Sequence, residues 1–265
     1  MRAAPDTPAV RRLLRWFDRE GPDLPWRRTR DRWAVLVSEV MLQATPVSRV
    51  LPYYAEWLTR WPRPRDLAAA SVGEAVAAWQ GLGYPRRARA LHGAAGVITE
   101  SGWPHPSRYG DLPGVGVYTA DALRCFADGQ PVLPEDVNVR RVLARRFPGG
   151  WPGAPRGKAW HAGQAMMDLG RDFCRARAPR CDDGCPVRTG CPAADAGVVR
   201  EVTPRTRRQA PYEGSLRQRR GLLLRALADN GRVQVGRDRD AAYSLVADGL
   251  ADRRGAMLVP AGSGR

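Results

Sequence analysis

Residues 112–120 read LPGVGVYTA. Two glycines bracket one apolar residue, and a stretch of helical composition begins directly behind them. Such a turn leaves backbone N–H groups free at the start of the next helix, a cup suited to a phosphate. An ordinary corner between two helices has the same pattern, because a glycine turn alone marks only a turn. The surrounding segment, SRYGDLPGVGVYTADALRCFADG (107–129), predicts helix, tight turn, helix.

Working outward, the segments on both sides also have helical composition. Residues 8–20 predict an arginine-rich amphipathic helix with Leu13, Leu14 and Phe17 as its apolar stripe. DLPWR (23–27) is a turn anchored by Pro-Trp. RWAVLVSEVMLQ (32–43) is helical and too apolar for a surface helix. Thr45-Pro46 interrupts it, and residues 48–60 form an aromatic helix. Residues 66–84 predict two short helices closed by Gly81 and Gly83, and 85–102 a basic amphipathic helix. Helices follow at 136–147 and 157–174, with no strand before residue 200. VTPRTRRQAPYEG (202–214) has the polar, proline-bearing composition of a linker. Helices at 215–231 and 240–249 and a strand-like AMLVPA (256–261) then suggest a small winged-helix-like module.

Of the 265 residues, 43 are basic and 27 acidic, a net charge of +16, and the only lysine is Lys158. This balance points to a polyanion partner, most simply nucleic acid, although arginine richness also follows from base composition. No apolar run approaches membrane-spanning length, and the charged N-terminus has no signal-peptide core. A soluble cytoplasmic monomer is expected.

Four of the five cysteines lie in CRARAPRCDDGCPVRTGC (174–191). Without an export signal, disulfides are not expected. Zinc sites commonly use two short cysteine pairs, and here only Cys181 and Cys185 make one. The wider outer spacing favours a bulkier cluster with four separate iron corners, with zinc left as the alternative. Cys125, on an apolar helical stretch, has the setting of a small buried residue.

Two carboxylates stand out. Glu39 lies inside the apolar VSEVML, where an acid is costly unless paired or working; an ion pair with Arg27 would satisfy it. Asp136 stands at a predicted helix start, where an N-cap would explain it. Two carboxyl groups in different environments are also what glycosidic cleavage needs: one gives a proton to the leaving group, the other stays ionised beside the sugar cation.

PWR, SEVMLQ-x-T-x-V, WQGLGY, LPGVGVYTA, D-x-N-V-x-RVLAR, QAMMDLG and the four cysteines occur in an order that resembles the A/G-specific adenine DNA glycosylases, over roughly residues 8–200. The resemblance implies an all-α, helix-hairpin-helix DNA glycosylase fold: a six-helix barrel at about 22–130, and an iron–sulfur cluster domain from 1–21 plus 131–200. A linker at 201–214 and a C-terminal module at 215–265 complete the expected organisation. The resemblance further implies that Cys174, Cys181, Cys185 and Cys191 hold a [4Fe–4S] cluster and that Glu39 protonates the adenine. Asp136 stabilises the sugar cation and Asn138 orders that site. Trp26, Arg27 and Gln164 line the pocket for the flipped base, Gln43 contacts DNA, and Leu112, Gly114 and Gly116 grip phosphate.

Tyr118 takes the place where lyase relatives carry a Schiff-base lysine. Strand cleavage through an imine needs an amine, so a monofunctional glycosylase is expected. It would flip adenine out of a mismatched or oxidised pair in double-stranded DNA. The chain differs from the family pattern by one extra residue between Cys181 and Cys185, by Ala44 and Pro85 at positions that wedge beside the damaged guanine, and by a short C-terminal segment. A mismatch thymine or uracil DNA glycosylase is the nearest alternative, and a non-catalytic iron–sulfur DNA-binding protein a more distant one.

Overall fold

A computed structural model of the protein describes residues 7–197 and 211–263. Most of the expected linker, residues 201–210, lies outside the described residues. The chain divides into two compact units, Met1–Val35 with Gly116–Thr206 and Leu36–Val115 with Arg207–Arg265.

In the first unit, α1 (Pro8–Glu20) begins where Thr7 Oγ1 accepts the Val10 N–H, with Pro8 in the first turn. It ends at Gly21, where a Cβ would lie 2.5 Å from the Phe17 carbonyl oxygen. Its buried stripe, which includes Leu13 and Phe17, packs against α8 (Val137–Arg146) and α9 (Ala159–Asp172) through Val139, Val142, Met166 and Leu169. Each such buried aliphatic stabilises the unit by ~1.5–3 kcal/mol. α7 (Val117–Ala122) continues into a π-turn at Leu123–Ala127.

α2 (Arg32–Leu42) leads into the second unit and is buried from Trp33 to Met41, as its composition required. α3 (Val47–Arg60) places Trp57 edge-on to both Trp61 and Trp79. α4 (Pro64–Ala69) and α5 (Val72–Ala78) pack on α6 (Arg86–Ser101). α5 is started by a capping box, Ser71 Oγ to the Glu74 N–H and Glu74 Oε2 to the Ser71 N–H. The first segment of the 107–129 hairpin is a 3₁₀ turn, Pro106–Asp111, rather than a full helix.

The C-terminal segment runs α11 (Leu216–Asn230), β1 (Val233–Gln234), α12 (Arg239–Ala247), β2 (Ala251–Arg254), β3 (Met257–Pro260); the four-residue α10 (Pro192–Asp195) follows the last cysteine. Gly231, at φ 69°, closes α11. The sheet order is β1-β3-β2, all antiparallel, with Val233 opposite Leu258 and Arg254 opposite Met257. Only β3 was expected as a strand; two-residue β1 and arginine-rich β2 carry no alternating apolar signal. The module is docked on α5: the Gly73 N–H donates to the Ala261 carbonyl at 2.8 Å, and a Cβ on Gly73 would meet Pro260 Cβ at 2.5 Å. Among the described residues no helix is long and apolar enough to cross a membrane.

Candidate active site and cysteine pocket

Asp136 is the N-cap of α8. Its Oδ1 accepts the N–H groups of Asn138 (2.8 Å) and Val139 (2.7 Å), and its Oδ2 accepts Asn138 Nδ2 at 3.0 Å. The capping role that could have explained this residue away is therefore real. It also fixes the carboxylate at the positive end of a ten-residue helix. All three partners donate, which suits an ionised acid.

Asn138 is held in turn. Its Oδ1 accepts from Arg141 Nη2 at 2.7 Å, and the same guanidinium donates to the Gly170 carbonyl (2.8 Å) and the Cys174 carbonyl (2.5 Å). Gly170 is required here, because a Cβ would lie 2.7 Å from Asn138 Cβ. Burial lowers the Arg141 pKa, against the pull of Cys174 and Asp136.

The four cysteines line one pocket, with Val142, Leu169, Phe173 and Val187 as apolar wall and Arg146 and Arg188 beside them. The extra residue between Cys181 and Cys185 is taken up in a turn that Gly184 closes at φ 91°. Burial pushes the Cys185 thiol up to about 11, and it raises Cys174 and Cys181 as well. Arg145 Nη1, 3.7 Å from Cys174 Sγ, offsets part of that rise. Such thiols stay protonated at neutral pH and would release their protons to solvent on binding a metal. Among the described residues no three of His, Cys, Asp and Glu are grouped to hold a single ion. A lone zinc needs four ligands ~2.0–2.3 Å from one point, whereas a four-iron cluster gives each thiolate its own corner. Four sulfur donors around one apolar-walled pocket fit the second group.

Arg27 is 7% exposed at its side chain and forks onto Asp168, both bonds 2.9 Å, while its Nε donates to Gln164 at 2.8 Å. The carboxylate partner suggested for Arg27, Glu39, is replaced by one on α9. Asp168 went unnoticed in the sequence, although it stands one helical turn after Gln164 in QAMMDLG. Trp26 is buried beside Arg27 in the 3₁₀ turn Pro25–Arg27. Tyr118 is partly buried, its hydroxyl donating to Met167 Sδ at 3.8 Å.

Glu39 stands in the second unit, 5% exposed, on the buried helix α2. Gln43 follows at that helix's end and is organised by a residue the sequence did not single out. Arg87 donates to the carbonyls of Val40, Met41, Gln43, Leu82 and Gly83 and to Thr45 Oγ1, all at 2.7–3.1 Å. It thereby ties the 43–45 loop to WQGLGY, two loops that each hold a non-glycine residue at positive φ, Ala44 (53°) and Tyr84 (49°). In the hairpin, Leu112 is buried and accepts the Val115 N–H; Gly114 has φ 76° and packs on Ala90. Gly116 starts α7.

Comparison with known proteins shows the family and the fold. The family of HhH-GPD superfamily base excision DNA repair proteins matches residues 37–153. The adenine DNA glycosylase of Mycobacterium tuberculosis is 41% identical over 91% of this chain and 89% of its own length. That of Mycolicibacterium smegmatis is 40% identical over 91% and 92%, and the human one 40% over 68% and 38%. A thermostable thymine-DNA glycosylase superposes with a TM-score of 0.64 at 26% identity, covering 71% of this chain and 95% of that one. Endonuclease III in a non-covalent DNA complex shares the fold, at TM-score 0.59 and 20% identity.

Proposed function

The chain belongs to the adenine DNA glycosylases of the HhH-GPD superfamily, and we propose that it removes adenine mispaired with 8-oxoguanine or guanine from double-stranded DNA, without cutting the strand. The observation that carries the mechanism is Asp136, held by three donors at the α8 N-terminus. Adenine is a poor leaving group until protonated, and Glu39, buried on α2, is assigned that proton transfer. As the glycosidic bond stretches, positive charge grows on the sugar, and the Asp136 carboxylate stabilises it. Asn138 and Arg141 keep that carboxylate from rotating away. Trp26, Arg27 and Gln164 receive the base, Gln43 contacts the DNA, and Leu112, Gly114 and Gly116 hold backbone phosphate.

Tyr118 offers a phenol where imine chemistry requires an amine, so the product is an intact strand with an abasic site. The proposed organisation is a catalytic region through residue 200, a linker and a C-terminal module, working as a monomer on chromosomal DNA in the cytoplasm. Cys174, Cys181, Cys185 and Cys191 are assigned a [4Fe–4S] cluster. When bound, it would cross-link the loop after α9, whose Cys174 carbonyl anchors Arg141.

The test uses duplexes carrying adenine opposite 8-oxoguanine or guanine, and thymine or uracil opposite guanine, with alkali to reveal abasic sites. Adenine release with strands intact before alkali is expected. Release of thymine or uracil instead would move the chain to the mismatch branch of the superfamily, for which the thymine-DNA glycosylase likeness is the supporting observation. Efficient borohydride trapping would contradict the monofunctional reading.

A further inference from the structure

Asp238, Asp240, Asp248 and Asp252 of the C-terminal module are engaged within the protein. Arg219 reaches Asp238 (3.4 Å) and Asp240 (2.6 Å). Arg86 and Arg220 both reach Asp248, and Asp252 accepts the Gly262 N–H at 2.8 Å. Arg237, Arg239, Arg253 and Arg254 are exposed. The sheet register brings their segments to one end of the sheet: β3 is the central strand, Arg254 faces Met257 on one side, Gln234 faces it on the other, and the Val235 N–H donates to the Ala256 carbonyl at 3.0 Å. The β2–β3 turn therefore lies beside the residues that follow β1. Arg253 rests on the exposed ring of Tyr243, 5.3 Å from its centroid, with Nη1 3.1 Å from the hydroxyl. A guanidinium has five N–H donors, so these contacts orient Arg253 and still leave donors facing solvent.

The opposite end of β2 is held by α6. Ala90 and Gly93 carry the 112–116 hairpin: a Cβ on Gly114 would lie 2.7 Å from Ala90 Cβ, and one on Gly93 3.4 Å from Pro113 Cβ. Arg86 pairs with Asp248, and Arg89 lies against Gly249. Positions 86, 89, 90 and 93 share one helix face. The path from hairpin to arginine cluster is ~10 Å along α6 and ~10 Å along β2, in all the length of about six base-pair steps of ~3.4 Å.

We infer that the β2–β3 end of the C-terminal module, with Arg237, Arg239, Arg253 and Arg254, is a second contact for duplex DNA, taking backbone phosphates beside the target site. It rests on the reading of the chain as a DNA glycosylase whose hairpin grips the duplex. The contact reads no base; it lengthens the grip and adds to its salt dependence.

The experiment measures binding of the full chain to a mismatch-free duplex of about 30 base pairs, ~100 Å long, over a range of salt. Each lost phosphate contact lowers the slope of log K against log salt by about 0.9. Arg253→Ala with Arg254→Ala, and Arg237→Ala with Arg239→Ala, should each reduce it by about 1–2 and weaken binding at low salt. Lysine at the same positions should keep the slope, and single-turnover adenine excision at saturating protein should be unchanged. Equal slopes for all variants would overturn the proposal. So would a loss shared by the lysine variants and accompanied by a lower melting temperature, since that means a collapsed module. If the alanine variants bind more weakly but no duplex loses adenine even with the unmutated protein, the excision reading fails and the contact stands. If adenine is excised and every slope is equal, the reverse holds.

Discussion

Arginine is used in opposite ways in two parts of this molecule. Around Asp136 it points inward: Arg141 is 5% exposed and Arg145 4%, and their forks are spent on carbonyl oxygens and on Cys174. At the β2–β3 end of the C-terminal module it points outward, and Asp238 and Asp240, in the segment after β1, are paired with Arg219. A net charge of +16 is therefore not a map of a DNA-binding face. Part of it is architecture, built from the one cation whose planar fork can satisfy several carbonyls at once.

The inward region should carry the largest effect. Asp136→Asn keeps the helix cap, because the amide oxygen still accepts N–H groups, but removes the charge. Single-turnover adenine release should fall by ~10²–10³-fold with the melting temperature little changed. A near-normal rate would place the cation-stabilising group elsewhere and break the contrast at its catalytic end.

Arg141→Met comes next. It strips partners from Asn138 Oδ1 and the Gly170 and Cys174 carbonyls. Hydrogen bonds to a charged group contribute ~1.5–3 kcal/mol each. A loss of about 3 kcal/mol, or roughly 6–12 °C in melting temperature, is expected, together with reduced iron content. Arg141→Lys should rescue little. Full stability in the lysine variant would show that charge rather than the fork is what matters there.

Gly73→Ala probes the docked module. The new methyl collides with Pro260 Cβ, an overpacking that costs ~1–3 kcal/mol against a helix-propensity gain of ~1 kcal/mol. Limited trypsin digestion should release the C-terminal segment faster, with excision at saturating protein intact. Unaltered digestion would mean that the β3 contact does not hold the module.

The smallest effect concerns Asp248, whose pKa is lowered, first by its hydrogen bond from Arg86 and also by Arg220. A carboxyl depressed in the folded state contributes stability above its unfolded value of ~3.9, which is lost as pH falls through the folded value. Asp248→Asn should therefore lower the melting temperature slightly at neutral pH, flatten the acid limb below about pH 4, and converge with the unmutated protein at lower pH. An identical acid limb in both proteins would remove this pair from the docking contacts.

The sequence by itself determined most of the helices, because those signals are local. Ser71 with Glu74, Thr7 with Pro8, and Gly231 mark helix ends within one turn, and the apolar length of 32–43 required burial. The same holds for the cysteine spacing, for LPGVGVYTA and for Asp136 with Asn138. Tertiary structure alone decided what the arginines hold. Arg27 chose Asp168, 141 positions away, over the glutamate nearer in sequence. Arg87 joined two loops across about 40 residues, Arg141 tied Asn138 to Cys174, and residues 248–261 returned to α5 and α6. A guanidinium has many possible acceptors and no local pattern that ranks them. Its partner is fixed only when helix packing brings particular carbonyls and carboxylates within about 3 Å of its fork.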